Sequence, residues 1–244
     1  MAHLTGMGKA GSGVLSKILG PLLAALWIYA GGAAAAVADD LRGKIELLAR
    51  GGKGLAKGSD VRQAVVFFEP KEQRSTRAPE KPFEIVTEDK EFLPRVLAIP
   101  RGSKVRFPNS DPILHNVFSV SGANSFDFGL SRKGPGQTRR FDAPGLVRVF
   151  CNVHHSMVAY IWVLGTPYSA SPADDGSFTL SGLPKGPGKL TVWHEQAEPW
   201  SIDLSVPAPG KVAARLEVTR PRIPPHVDKT GRSYFRNSRE KYGG

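Results

Sequence analysis

Apolar residues in this chain alternate in short runs and do not recur every three or four positions. In residues 41–47, Leu41, Ile45 and Leu47 share one side and Arg42, Lys44 and Glu46 the other, the period of a half-buried strand. Ala64-Val65-Val66-Phe67-Phe68 is apolar throughout, which predicts a strand covered on both faces. Residues 92–99 and 104–107 predict strands separated by a turn at Pro100-Arg101-Gly102. Val105 and Phe107 face one way there, and Lys104 and Arg106 the other. Residues 116–120 and 126–130 predict two more strands, and Lys133-Gly134-Pro135-Gly136 predicts a turn. Val147, Val149 and Cys151 share parity, so a core-facing strand delivers the Cys151 side chain inward. Residues 158–164 close the set. The pattern predicts an all-β fold, a sandwich with many turns, to which Gly 27 and Pro 20 also point.

The 244 residues are enough for one large or two small domains, and 41% hydrophobic with 23% charged residues is a globular composition. Residues 1–38 contain no Asp or Glu. Lys9 and Lys17 precede an apolar run over 18–30, and Ala36-Val37-Ala38 stands before Asp39-Asp40. This order predicts a signal peptide cleaved after Ala38, and hence an exported, periplasmic protein. An uncleaved membrane anchor is the alternative, because small and apolar residues continue to Ala38; Pro21 and the glycines favour cleavage. The net charge is +11, yet no basic helix, zinc-finger spacing or aromatic RNA-binding motif accompanies it. Nucleic acid is therefore not the expected partner. A basic surface steers an acidic protein partner or touches an anionic membrane surface.

The candidate chemistry lies in Phe150-Cys151-Asn152-Val153-His154-His155-Ser156-Met157, which holds the only cysteine, two of six histidines and one of three methionines. A thiolate, an imidazole three residues on and a thioether three further form a soft donor set that suits copper. The other reading is a buried structural cysteine beside surface histidines. A type 1 copper site also needs an imidazole from elsewhere in the fold. Upstream the chain reads Pro112-Ile113-Leu114-His115-Asn116-Val117, which holds one further imidazole.

These two segments resemble the cupredoxins, especially amicyanin, plastocyanin-like proteins and bacterial methylamine utilisation proteins. The resemblance spans about residues 83–165 and implies a Greek-key β-sandwich with one type 1 copper. Carried over position by position, it implies His115, Cys151 and His154 as equatorial ligands and Met157 as the weak axial ligand. Asn116 would tie the two ligand-bearing segments together from outside the ligand set. His155 stands where the amicyanin loop has proline, and is the alternative ligand to His154. Residues 166–219, with Asp174-Asp175-Gly176-Ser177-Phe178 and Leu183-Pro184-Lys185-Gly186, resemble half of a carboxypeptidase regulatory-like (transthyretin-like) sandwich, and residues 41–70 resemble its other half.

The expected plan is a signal peptide (1–38), a half-sandwich (41–70), a linker (71–82), the cupredoxin (83–165), the second half-sandwich (166–219) and a flexible basic tail (220–244). In that plan the cupredoxin is inserted into a second small β-sandwich; a plain tandem is the alternative. The resemblance implies a one-electron carrier between redox protein partners. The rivals are a periplasmic copper-delivery protein and a structural two-sandwich surface protein. An enzyme is not expected: the histidines are too few for further copper centres, and no G-x-S-x-G, H-E-x-x-H or Walker motif occurs.

Overall fold

A computed structural model describes residues 39–72 and 77–232, so the expected signal peptide lies outside the described residues. The strands in chain order begin with β1 (Asp39–Leu48) and β2 (Val65–Pro70). The central group is β3 (Phe83–Glu84), β4 (Val86–Glu88), β5 (Glu91–Leu93), β6 (Val96–Pro100), β7 (Lys104–Asn109), β8 (His115–Ser119), β9 (Phe126–Ser131), β10 (Gly134–Arg140), β11 (Gly145–Phe150) and β12 (Val158–Leu164). Then follow β13 (Ser169–Ala170), β14 (Ser177–Leu183), β15 (Gly186–Trp193), β16 (Trp200–Val206) and β17 (Val212–Glu217).

Among the described residues the strands form four sheets. One runs β14-β1-β17 and another β13-β2-β15-β16, so strands from both sides of residues 83–165 pair with each other. β2 pairs with β13 and β15, whereas the central strands make the other two sheets, β6-β12-β11-β8-β9 and β10-β7-β4-β5, with β3 on β7. Three apolar layers hold the four sheets in a stack. Leu41, Ile45, Phe178 and Leu216 meet Val66, Phe68, Leu190 and Val192 in the first. Val65, Phe67 and Trp193 meet Phe118, Phe150, Val158, Tyr160 and Leu164 in the second. Val117, Val147, Val149, Ile161 and Val163 meet Ile85, Val105 and Phe107 in the third.

The alternation of side chains explains why two strands are apolar without interruption. In β2, Val65 and Phe67 enter the middle layer while Val66 and Phe68 enter the first. In β12, Val158, Tyr160 and Leu164 enter the middle layer while Ala159, Ile161 and Val163 enter the third. Neither strand has a face left for solvent, and full burial of such side chains contributes about 1.5–3 kcal/mol each before entropy is charged against it.

Three expectations need correction. Residues 92–99 are not one strand: Pro94 lacks the N–H a ladder needs, and the chain there passes from β5 to β6, which lie in different sheets. Residues 133–136 are not a free turn, because Gly134 and Gly136 already belong to β10. Gly136 has φ +69° and lies against the Phe107 backbone with no room for a Cβ, beside a register irregularity between Gly134 and Gln137. Residues 220–232 are not a loose tail. Their composition is polar and proline-rich, but side-chain and backbone contacts fix them to the central strands; residues 233–244 lie outside the described residues.

Candidate metal centre

Cys151 follows β11 directly, and Met157 directly precedes β12, so the connection between two paired inner strands carries both sulfurs. It is closed by hydrogen bonds at its base. Cys151 N–H donates to Met157 O (3.4 Å), and Met157 N–H donates to His154 O (3.0 Å). Cys151 and Met157 are buried in the same apolar layer as Val149 and Ala159. His115 opens β8, whose neighbour in the sheet is β11, and it is fully buried.

These elements bring three ligand atoms together. Cys151 Sγ lies 3.9 Å from His115 Nδ1 and 3.9 Å from His154 Nδ1, and the two Nδ1 atoms are 3.2 Å apart. The His115, Cys151 and His154 ligand atoms form a group able to hold a metal ion. The spacing comes within about 0.3 Å of that around a shared trigonal ion. With bonds of about 2.3 Å to thiolate sulfur and about 2.0 Å to imidazole nitrogen, trigonal ligands stand roughly 3.5–3.8 Å apart. Met157 supplies a buried thioether from the same loop. His155, the alternative ligand, is exposed and does not belong to the group.

The surrounding contacts set the chemical state of each ligand. His115 Nε2 lies 2.8 Å from Asp111 Oδ2, so this nitrogen carries the proton and Nδ1 turns its lone pair toward the site. Asp111 is itself fixed by the backbone N–H groups of Asp89 (2.8 Å) and Lys90 (3.0 Å). Burial raises the Asp111 carboxyl, but those two N–H groups and His115 hold it below the ordinary carboxylate value. Burial, reinforced by His115 and Lys90, keeps the His154 imidazole below its ordinary value, which favours the neutral, metal-ready ring. Cys151 Sγ accepts backbone N–H groups from Val153 (3.4 Å), Asn116 (3.5 Å) and His154 (3.5 Å), which fix the sulfur in place.

Asn116 joins the two ligand segments through its side chain. Its Oδ1 accepts Asn152 N–H (3.3 Å), while Nδ2 donates to Asp127 Oδ1 (2.7 Å) and Gly129 O (2.8 Å). Sequence reasoning singles out Asn116 but misses Asp111, Asp127 and Lys229. Asp111 stands four residues before His115, a spacing that has no meaning until the loop between β7 and β8 is folded.

No family model and no curated protein matches the sequence. Among solved structures the chain is similar to amicyanin from Paracoccus versutus, at 19% identity over 40% of this chain and 97% of that one, TM-score 0.33. It is similar to a purple cupredoxin from Nitrosopumilus maritimus, at 22% identity over 34% and 99%, TM-score 0.29. A Cu(I) form of an amicyanin variant gives 14% identity over 41% and 98%, TM-score 0.33. At such identities and scores the likeness carries nothing for the site, which stands on its own geometry.

Proposed function

We propose that this chain is an exported carrier of single electrons, built around one type 1 copper held by His115, Cys151 and His154 with Met157 as axial donor. The observation that supports it most is the convergence of one cysteine sulfur and two imidazole Nδ1 atoms, with the His115 ring oriented by Asp111. When bound, copper supplies a Cu(I)/Cu(II) couple. The protein's part is to keep its donors fixed in both states. The short loop between β11 and β12, Asn116 and the Asp111–His115 contact all serve that end.

The path to a partner runs past His154, the half-buried ligand. Ile113 and Leu114, exposed just before His115, and Val153, exposed just before His154, offer apolar surface for docking. The basic chain favours an acidic redox protein.

The test is a visible absorption spectrum of the purified mature protein loaded with Cu(II), beside Cys151→Ser. An intense band that disappears in the variant is expected for thiolate ligation. Bound copper without such a band overturns the type 1 assignment.

A further inference from the structure

After β17 the chain turns back toward the metal-bearing end. The Arg222 carbonyl accepts a hydrogen bond from Arg95 Nη2. The His226 ring then stacks on Phe150, with centroids 4.2 Å apart and planes 9° from parallel. Asp228 fixes the next turn: its Oδ1 accepts from Thr230 N (2.8 Å), Thr230 Oγ1 (2.7 Å) and Arg232 N (2.9 Å). Asp228 N–H in turn donates to Arg232 O (2.8 Å).

That turn presents Lys229 to two groups of the site's outer network. Lys229 N–H donates to Asn152 Oδ1 (3.0 Å), and its Nζ reaches Asp127 Oδ2 (2.8 Å). Asn152 N–H donates to Asn116 Oδ1, and Asn116 Nδ2 donates to Asp127 Oδ1. The contacts close a ring: Lys229, Asn152, Asn116, Asp127 and back to Lys229. Asn152 immediately follows Cys151 and Asn116 immediately follows His115. The ring therefore grips the chain one residue beyond each of two ligands, and its outermost member belongs to a segment remote in sequence.

We propose that residues 220–232 are a strap that positions the metal loop from outside, and that Lys229 is the positioning residue through which it acts. The proposal deepens the reading of this site as a metal centre and rests on it. Lys229 acts through Asn152 and Asp127. It holds Asn152 from the side chain while Asn116 holds the same residue from the backbone, so the peptide after Cys151 is fixed at two points. An ion pair as exposed as Lys229–Asp127, with 37% and 39% of the side chains accessible, contributes little by itself. The backbone donor and the Asp228 turn give it a fixed geometry, and the effect is local order in the loop rather than global stability.

Three full-length variants separate the contacts. K229A removes the Nζ donor, K229P removes the backbone donor as well, and K229R keeps both. Amide hydrogen exchange of residues 152–154 is measured on metal-free protein; release of Cu(II) to a chelator and the reduction potential are measured on the loaded form. K229A is expected to speed loop exchange and copper release about two- to fivefold, the factor that loss of an exposed ion pair supports. K229P is expected to exceed that, near tenfold, because a backbone hydrogen bond is lost too. K229R restores both rates to within about twofold, and the thermal midpoint of K229A stays that of the parent. Loop exchange in K229A and K229P at the parent rate overturns the strap. If the parent protein forms no thiolate–copper chromophore, the metal reading fails, and the metal-free exchange comparison alone decides whether the strap orders the loop.

Discussion

Asn116→Ala tests whether the outer network, and not only the ligands, builds the site. The side chain is 1% exposed and makes three hydrogen bonds. The bond to the Asp127 carboxylate is charge-assisted, and such bonds contribute about 1.5–3 kcal/mol; the neutral bonds to Gly129 O and from Asn152 N contribute about 0.5–1.5 kcal/mol each. Asp127 is partly exposed and recovers water when its partner leaves, which trims the sum. Alanine should therefore cost roughly 2–4 kcal/mol. Asn116→Asp keeps the shape but sets a carboxylate against Asp127 Oδ1 and Gly129 O, two acceptors that now face another acceptor. It should cost more than alanine. In both variants the backbone N–H of residue 116 can still reach Cys151 Sγ, so the loss belongs to the side chain. The assay is urea unfolding of metal-free protein, with an unchanged slope as the sign that the two-state comparison holds. Asn116→Ala within about 0.5 kcal/mol of the parent, the range of an inert surface change, refutes the reasoning. So does Asn116→Asp being no worse than alanine.

Two further outcomes concern the junction of the sandwiches. Arg95→Met leaves the Glu195 carboxylate, whose side chain is fully buried, without the guanidinium that now meets it at 2.7–3.0 Å. Breaking such a pair costs about 3–5 kcal/mol, which for a chain of this size lowers the thermal midpoint by roughly 6–20 °C, read by calorimetry. His194 is held neutral: burial above all keeps its pKa below the ordinary 6.5, while Nε2–H donates to Asp60 O (3.1 Å) and Nδ1 accepts Gln196 N–H (3.2 Å). A depressed folded value means that the unfolded chain binds the extra proton first, so this contribution is present above about pH 6.5 and is lost as pH falls toward the folded value. Urea midpoints measured from pH 7.5 to 5 should fall less steeply for His194→Gln than for the parent; equal slopes sink the assignment.

The strands that sequence patterning reaches are those with one dry face or two. β1 shows alternation, and β2 and β12 show continuous apolar runs, because the layers they enter decide those side chains. Val147, Val149 and Cys151 can be placed inward by parity alone, and all three are fully buried. What patterning misses is polar or local. β10 is mostly exposed, with a sequence of glycine, proline and charged residues that reads as a turn until β7 pairs with it. The break at Pro94 is visible in the sequence, yet only the packing of β5 and β6 into different sheets gives it force. Cys151, His154 and Met157 can be read as candidate donors because their spacing lies within one loop, whereas His115, at the start of β8, is reached only through the resemblance of its segment. Asp111 and Asp127 cannot be read, since a carboxylate becomes an orienting partner only when folding sets it opposite His115 or Asn116. Lys229 is further out of reach: more than seventy residues separate it from Asn152, and its neighbourhood has the composition of a solvated end.

The same layering makes the central strands poor candidates for an independent unit. In an isolated two-sheet sandwich, the outer face of β8, β11 and β12 would meet water and should alternate with polar residues. Here that face carries Phe118, Phe150, Val158, Tyr160 and Leu164, with Trp162 packed alongside, and Val65, Phe67 and Trp193 cover most of it. Phe67 and Trp193 each lie against Trp162, at 5.3 and 5.9 Å between ring centroids. Burial on that face also pushes the Tyr160 phenol up to about 12, with the Glu195 carboxylate adding to the shift, so the ring stays neutral against its apolar neighbours. Cutting out residues 83–165 would expose a contiguous aromatic patch of the kind that drives association. The excised segment should aggregate or bind a hydrophobic dye strongly, and residues 39–244 should do neither. Light scattering and dye fluorescence on the two, expressed alike, make the comparison. A monomeric, dye-silent 83–165 segment would mean that the second sandwich is an attachment; aggregation would mean that it is the fourth wall of the scaffold that holds Cys151 and Met157 in place.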